Sequence, residues 1–324
     1  MLLLSLSCRS EPGAFEVGAV SVFRSLRGHF HVYRLLEPVT TSTALTDRPG
    51  FDVWGFLLFS HGWTWLWWSI PILAGWHVFA FPGIVFLVVG GTGVLLGGVV
   101  MAWLVDGRRG LADLWNRLVD PRPIPLRWTP AILLLFPALA LGAGGLVLVT
   151  GAGEAPIDPS GLAALVADPL GLLITLAVIL LLGPLPEEIG WRGYWLDRLQ
   201  LRWSALTASL LVGVAWAAWH APLFVMVGYY DAWETPPAPA QLAFGILVTS
   251  ILYTWLYNNV GRSILAVVVF HFVQNATGEL LDLSPEARLF QTALTVAAVV
   301  AVVLYWGPRD LRRGAGRPRP PDAK

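Results

Sequence analysis

Long runs of apolar residues recur along the chain after residue 50, separated by shorter polar segments. An α-helix needs about 20 consecutive apolar residues to cross a bilayer, and the runs recur at about that length. We therefore predict an all-α, polytopic integral membrane protein with about eight transmembrane helices. The predicted spans are residues 53–75, 79–105, 129–150, 168–186, 204–228, 240–258, 262–281 and 288–306.

Glycine and proline punctuate two of these spans. The fourth is interrupted by Gly183-Pro184-Leu185-Pro186, and we expect the helix to resume past this break and to continue through Leu199. The second contains Gly90-Gly91-Thr92-Gly93 and Gly97-Gly98. Small residues in a membrane helix favour close approach of a neighbouring helix, so this stretch predicts tight helix packing.

The basic residues lie almost entirely on one side of the predicted topology. They occur before residue 50, in the loop 106–128, in the segment 192–202, at Arg262 and after residue 306. The loops on the other side contain none, and Arg288 lies at a span end. Because Lys and Arg accumulate in cytoplasmic loops, both termini should be cytoplasmic and the protein should lie in the cell membrane.

Composition agrees with a membrane protein and limits the chemistry. The chain has 324 residues, of which 56% are hydrophobic and 13% charged, which excludes an ordinary soluble domain. Its single cysteine precludes an internal disulfide and a cysteine-based zinc site. The predicted organisation is an N-terminal cytoplasmic tail over 1–50, irregular and typical of partial disorder, a transmembrane domain over 51–306, and a basic cytoplasmic tail over 307–324.

Two adjacent acids, Glu187 and Glu188, follow directly on the apolar run of the fourth span. Charged groups are costly in lipid, so both should face the protein interior or a water-filled cavity. In a helix, Glu188 and Arg192 lie four residues apart on one face and can form an ion pair. Glu187 points about 100° away from that face. We expect one acid to be neutralised locally and the other to stay free.

Histidines also occur within the predicted spans. His220 ends Trp216-Ala-Ala-Trp-His in the fifth span, and His271 begins His-Phe-Val-Gln-Asn in the seventh. Asn275 therefore lies one helical turn beyond His271 on the same face. Because each polar group costs stability if it faces lipid, we predict that these side chains meet the acids in one polar cavity. His61 has no partner assignable by spacing, and we interpret it as a core histidine.

For these side chains to meet, they must lie at the same depth in the membrane. At roughly 1.5 Å per residue, Glu187 and His271 both fall in the cytoplasmic half of the membrane, whereas His220 lies about 24 Å from the cytoplasmic start of its span. A convergent site therefore requires tilted helices or an extension of the fourth and fifth spans into the cytoplasm.

This set of side chains has the parts needed to hydrolyse an amide. A carboxylate, alone or with a histidine, can take a proton from water, and a second histidine and an amide can stabilise the oxyanion. The competing use is a zinc site with Glu187, His220 and His271 as ligands and an open fourth position. The chain lacks a His-Glu-x-x-His helix, and the residues themselves do not decide whether a metal is needed.

The motifs resemble those of the CAAX-protease and bacteriocin-processing family of intramembrane endopeptidases, also called the glutamic-type or ABI family. The resemblance covers about residues 165–282 and depends on three motifs occurring in register. They are Glu187-Glu188-x-x-x-Arg192, Trp216-x-x-x-His220 and His271-x-x-x-Asn275. The second motif of the family usually begins with Phe. We expect the larger ring of Trp216 to affect cavity width or substrate choice without touching the chemistry.

The resemblance implies a role for each matching residue. Glu187 and His220 would activate water, whereas His271 and Asn275 would stabilise the oxyanion. The supporting residues would be Glu188, Arg192 and Trp216. No serine or cysteine nucleophile accompanies the histidines, so we expect no covalent enzyme intermediate. The family has been interpreted both as metal-dependent and as metal-free, and zinc stays open as a cofactor.

The implied partners are membrane lipids and membrane-associated peptides or protein tails, with no nucleic acid. Prenylated CAAX tails are the family's eukaryotic substrates, whereas the use of arginine almost without lysine suggests a GC-rich prokaryotic gene. The natural substrate and the oligomeric state therefore stay open. Two other functions fit the same residues, namely a proton-coupled transporter and a non-catalytic membrane scaffold. No internal repeat favours the transporter.

Overall fold

The computed structural model describes residues 50–230, 236–314 and 316, and the predicted tail before Gly50 lies outside the described residues. The described chain forms twelve α-helices and one short antiparallel pair of strands. The helices are α1 (Phe51–Ala74), α2 (Gly83–Gly91), α3 (Gly93–Val119), α4 (Thr129–Thr150), α5 (Ser160–Ala167), α6 (Pro169–Leu182), α7 (Pro184–Gly190), α8 (Leu196–Arg202), α9 (Ala205–His220), α10 (Pro239–Asn259), α11 (Ile264–Leu280) and α12 (Pro285–Trp306). The strands are β1 (Ile157–Asp158) and β2 (Asp282–Leu283).

Six helical segments of the described chain are long and apolar enough to cross a membrane. They are α2 with α3, α4 with the turn before it, α6 through α8, α9 with the turn after it, α10 and α12. The apolar helix α11 is shorter, at 17 residues. Helix α1 has 24 residues, five of them tryptophan, and coincides with the first predicted span without being one of the six. The all-α membrane architecture is confirmed.

The chain passes from the surface of the bundle into its interior at Gly183. Helix α6 is largely exposed, whereas every residue from 186 to 200 is buried. Pro184 occupies the first turn of α7, where its missing N–H removes no hydrogen bond within the helix. The helical path continues through a π-helical turn, Trp191–Trp195, into α8. The predicted continuation past the break is confirmed, and the two acids lie inside the bundle.

Glycines allow α3 to contact α1 and α7 at close range. A Cβ added at Gly93 would lie 2.7 Å from the carbonyl oxygen of Ser60, and one at Gly98 would lie 2.9 Å from the Cα of Gly190. Side chains larger than hydrogen do not fit at such separations, so the backbones approach only because these residues are glycine. The predicted tight packing of the second span is confirmed, and it holds the acid-bearing α7 against α3.

A buried ion network joins the ends of α3, α8, α10 and α11. We call this region the arginine-rich end and define it by Asp113, Arg117, Asp197, Tyr257 and Arg262. Asp197 accepts hydrogen bonds from the Tyr257 hydroxyl at 2.9 Å and from Arg262. Arg117 donates to the same hydroxyl at 2.7 Å, and Asp113 pairs with both arginines. Burial disfavours the charge of Arg262, but the Asp197 carboxylate outweighs burial and holds the pKa of Arg262 above its ordinary value.

The residues after α12 pack onto the same part of the bundle. The backbone carbonyls of residues 308 and 309 accept hydrogen bonds from the first two amide groups of α9. The side chain of Asn259 donates to the carbonyl of Leu311 at 2.8 Å, and Leu311 is fully buried. These bonds satisfy helix ends that would otherwise lack partners. The first residues of the predicted basic tail are thus part of the folded bundle.

Candidate active site

The predicted ion pair between Glu188 and Arg192 is confirmed. Nη1 of Arg192 lies 2.9 Å from Oε1 of Glu188, and both side chains are fully buried. The guanidinium lies between the rings of Trp216 and Tyr253, at 4.5 and 4.4 Å from their centroids. Nη2 of the same group donates to the hydroxyl of Ser250 at 3.3 Å. Arg192 therefore links α7 to α9 and α10 through charge, ring stacking and a hydrogen bond.

Glu187 lies on the other face of the same helix, as predicted, but it is not free of partners. The indole Nε1 of Trp216 donates to its Oε2 at 2.5 Å. Spacing along one helix could not show this contact, which forms between two helices, and the expectation that the ring of Trp216 does not touch the chemistry stays a prediction. The other oxygen of Glu187, Oε1, has no hydrogen-bond partner among the described residues.

His271 approaches the acid pair from α11. Its Nδ1 lies 2.9 Å from Oε1 of Glu188, the oxygen that also pairs with Arg192. The imidazole is 5% exposed and meets the rings of Trp216 and Tyr253 edge-on, with centroids 5.3 and 5.4 Å away. With Nδ1 directed at the carboxylate, Nε2 is the nitrogen available to a substrate.

His220 ends α9 and is half-buried. Its Nδ1 lies 2.8 Å from the backbone carbonyl of Trp216, one turn earlier. A carbonyl oxygen only accepts hydrogen bonds, so Nδ1 carries the proton. In the neutral ring, Nε2 then has a lone pair that can accept a proton, and it has no partner among the described residues.

Asn275 and Glu187 both approach Gly183 at the helix break. A Cβ added at Gly183 would lie 3.6 Å from Nδ2 of Asn275 and 3.8 Å from Oε1 of Glu187. The small residue at the break therefore leaves space between a free carboxylate oxygen and an amide donor. All seven predicted site residues meet in this region, which joins α7, α9 and α11.

The lengths of the helices explain how the residues reach one depth. Glu187 lies 15 residues before Arg202, where α8 ends, and His220 lies 15 residues after Ala205, where α9 begins. At 1.5 Å per residue, both are about 22 Å from the turn that joins α8 to α9. The predicted extension of the fourth span is thus present as α7 and α8, and it brings His220 level with Glu187.

Helix α11 is held against α7 and α8 at two matching points. Nine residues separate Glu188 from Asp197, and nine separate His271 from Arg262. Glu188 binds His271, and Asp197 binds Arg262, so the two antiparallel segments share one register. The arginine-rich end therefore helps to place His271 beside the acids, about 13 Å away along the helix.

The sequence interpretation missed the contribution of α10. Ser250 and Tyr253 contact Arg192, and Tyr253 also contacts His271 and donates to Gln274 at 2.5 Å. A signal was available, because hydroxyl residues recur at positions 250, 253, 254 and 257 of an otherwise apolar span. Spacings of three and four residues place such side chains on one helix face.

The zinc site that the sequence leaves open would need three donor side chains close together. In the described part of the chain, no three His, Cys, Asp or Glu side chains lie close enough to hold one metal ion. Nδ1 of His271 contacts Glu188, and Oε2 of Glu187 accepts from an indole. The set Glu187, His220 and His271 therefore does not fit a metal in this geometry, and the chemistry of the site is derived from the protein groups alone.

Two comparisons with known proteins bear on this site. A family model described as type II CAAX prenyl endopeptidase, Rce1-like, matches residues 169–277. A protein named CAAX prenyl protease 2, from Methanococcus maripaludis, is 32% identical over 196 residues, which cover 60% of this chain and 71% of that protein. The matched range 169–277 contains all seven predicted site residues, from Glu187 to Asn275.

Proposed function

Because the chain belongs to the Rce1-like type II CAAX prenyl endopeptidase family, we propose that its Glu187 and His220 activate the water that cleaves a peptide bond. Membership of the family and its apolar helices make the chain a peptide-bond hydrolase of the membrane. One observation supports the assignment of these residues to the active site. Glu187, His220 and His271 come from three helices, and all three contact Trp216.

Glu187 is the principal base in this proposal. Oε2 is bound to an indole N–H, so Oε1 is the oxygen that can accept a proton from water. The lone pair on Nε2 of His220 provides a second acceptor at the same depth. A base must lie within hydrogen-bond reach of the proton that it removes. Oε1 of Glu187 borders the space beside Gly183, and His220 ends α9.

Asn275 and His271 stabilise the negative charge that develops on the substrate. Nδ2 of Asn275 and Oε1 of Glu187 both border the space beside Gly183. A carbonyl held in this space would present its carbon to the water and its oxygen to the amide. Nε2 of His271, when protonated, donates a second hydrogen bond to that oxygen.

The reaction then proceeds in two steps. The water oxygen bonds to the carbonyl carbon while its proton passes to Glu187 or His220, and the carbonyl oxygen becomes an oxyanion. The carbon–nitrogen bond then breaks, the oxyanion returns to a carbonyl, and the proton passes to the leaving amine. The enzyme forms no covalent bond with the substrate, in keeping with the lack of a serine or cysteine nucleophile in the motifs.

We further propose that the substrate is a lipidated tail presented from the membrane. The relative from Methanococcus maripaludis is named for prenylated CAAX substrates. Leu173, Ile174 and Leu181 are exposed on α6, which ends at Gly183 beside Glu187, so a lipid chain could lie along α6 with its peptide at the site. In this proposal both termini and the arginine-rich end lie on the cytoplasmic side, which the one-sided distribution of basic residues supports.

The test is cleavage of a fluorogenic lipidated peptide by purified protein in detergent or liposomes. Glu187→Gln keeps the size of the side chain and removes the base, so kcat should fall about 10²–10⁴-fold. Glu279→Gln is the matched control, since Glu279 is exposed on α11 and should be replaceable without loss. Equal cleavage by wild type and Glu187→Gln would remove the assigned base.

Two further measurements with the same assay test the need for a metal and the role of the lipid. A strong chelator should leave the wild-type rate unchanged, whereas loss of activity with recovery on adding zinc would restore the metal hypothesis. The same peptide without its lipid should be cleaved with a higher KM, because the lipid contributes binding at a distance from the scissile bond. Equal KM for both peptides would contradict the proposed substrate class.

A further inference from the structure

Trp216 touches more of the site than any other residue described there. Its indole N–H donates to Glu187 at 2.5 Å, and its ring lies under the guanidinium of Arg192 at 4.5 Å. The edge of the ring meets His271, and its backbone carbonyl accepts from His220 at 2.8 Å. The side chain is 4% exposed, so these contacts form within the protein interior.

We propose that Trp216 is a positioning residue whose indole N–H holds Oε2 of Glu187, so that Oε1 alone is presented to the attacking water. This inference depends on the proposed function, in which Glu187 is the base. It concerns the atom that orients the base and assigns no direct contact between Trp216 and the substrate.

The chemistry of the two groups supports this role. A carboxylate has two equivalent oxygens, and rotation about its last bond exchanges them unless one is held. An indole nitrogen only donates, so this contact fixes which oxygen of the carboxylate is occupied. The more precisely a catalytic group is held, the less reorganisation is needed when the reaction occurs.

No other direct donor to Glu187 is present among the described residues. Arg192 is directed to Glu188 and Ser250, and His271 is directed to Glu188. Phenylalanine, the usual first residue of this motif in the family, would keep an aromatic ring but could not donate. In this chain, the indole therefore supplies an orienting bond that the usual residue lacks.

The first test replaces Trp216 by Phe. This variant keeps a ring beside Arg192 and His271 and keeps the carbonyl that binds His220, but it removes the N–H. We expect kcat to fall on the order of tenfold to a hundredfold, which is typical of the loss of an orienting partner. KM should stay unchanged, since the N–H does not contact the substrate.

Trp195→Phe is the matched control. Trp195 is also buried, and its indole N–H donates at 3.0 Å to the carbonyl of Val53, which lies outside the site. Both variants lose one buried indole bond, so their thermal stabilities should fall to a similar degree. Only the variant at position 216 should lose kcat, a difference that a purely structural role would not produce.

A second variant separates the N–H from the volume of the ring. Benzothienylalanine at position 216 keeps the bicyclic shape and replaces the N–H by sulfur, so packing against Arg192 is retained. A fall in kcat in this variant, at constant KM, supports the proposal. A wild-type kcat in this variant overturns the proposal. This holds even if Trp216→Phe is slow, because the loss would then come from the smaller ring and not from the missing N–H.

The outcome also separates this inference from the proposed function. If wild type cleaves, Glu187→Gln does not, and the benzothienylalanine variant matches wild type, only the role of Trp216 is lost. If Glu187→Gln cleaves like wild type, Glu187 is not the base, and the role of Trp216 is lost with it.

Discussion

The two buried ion pairs that join α11 to α7 and α8 differ in how completely their groups are bonded. At the arginine-rich end, Asp197 binds Arg262, and each charged side chain of the network has at least two partners. At the site, Glu188 binds both Arg192 and His271. However, Oε2 of Glu188 and Nε of Arg192 are buried without a hydrogen-bond partner among the described residues.

This difference matches a structural role for the arginine-rich end and the proposed catalytic role of the site. Buried polar groups are normally hydrogen bonded, and each exception costs stability. The arginine-rich end meets that rule, and its role is to hold helices in register. The site departs from it at the Glu188–Arg192 pair, which lies beside the groups proposed to act on water and substrate. Asp197, whose network is fully hydrogen bonded, therefore lies only nine residues from Glu188, whose network leaves buried atoms without partners.

Asp197→Asn should have the largest effect on stability. It removes the more buried of the two carboxylates that Arg117 and Arg262 share, and breaking a buried ion pair typically costs about 3–5 kcal/mol. Denaturation in detergent would measure this loss. Asp282→Asn is the control, because Asp282 pairs with Arg288 at an exposed position and should cost less than about 1 kcal/mol. Equal losses in the two variants would contradict the assigned role of the network.

Asn275→Ala and Asn259→Ala compare a side-chain amide of the site with one at the end of α10, next to the arginine-rich end. Asn275 is half-buried and has no hydrogen-bond partner among the described residues, so its loss should spare stability and lower kcat about 10²–10³-fold. Asn259 binds the carbonyls of Trp255 and Leu311, so its loss should cost about 1 kcal/mol and leave kcat unchanged. Thermal unfolding and initial rates on the same samples would check both. A stability loss in Asn275→Ala with full activity would reverse the comparison.

Gly183→Ala should have a smaller effect, confined to the site. Its methyl group would enter the space between Asn275 and Glu187, with the nearest backbone oxygen 3.2 Å away. We expect kcat/KM to fall about tenfold by displacement of water or substrate, with little loss of stability. Gly278→Ala is the control, since nothing lies within 4 Å of the added methyl group. Unchanged kinetics in Gly183→Ala would place the reacting carbonyl elsewhere.

Much of this protein follows from local patterns in the sequence. Apolar runs of membrane-spanning length predict the helices, because each helix satisfies its own backbone hydrogen bonds. Helical geometry alone pairs Glu188 with Arg192 and puts Asn275 one turn beyond His271. The order of three motifs then predicts the family. These inferences succeed because they depend on neighbours within one helix, whose relative directions are set by its periodicity.

Contacts between helices were decided by the tertiary structure. The bond from Trp216 to Glu187, the contribution of Tyr253 from α10 and the space at Gly183 all depend on how deeply and at what angle the helices pack. Periodicity specifies which face of a helix is polar, but not which side chain of another helix meets it. Close packing at glycines and the two matching ion pairs set that register, and so determine which oxygen of Glu187 is held and which is free.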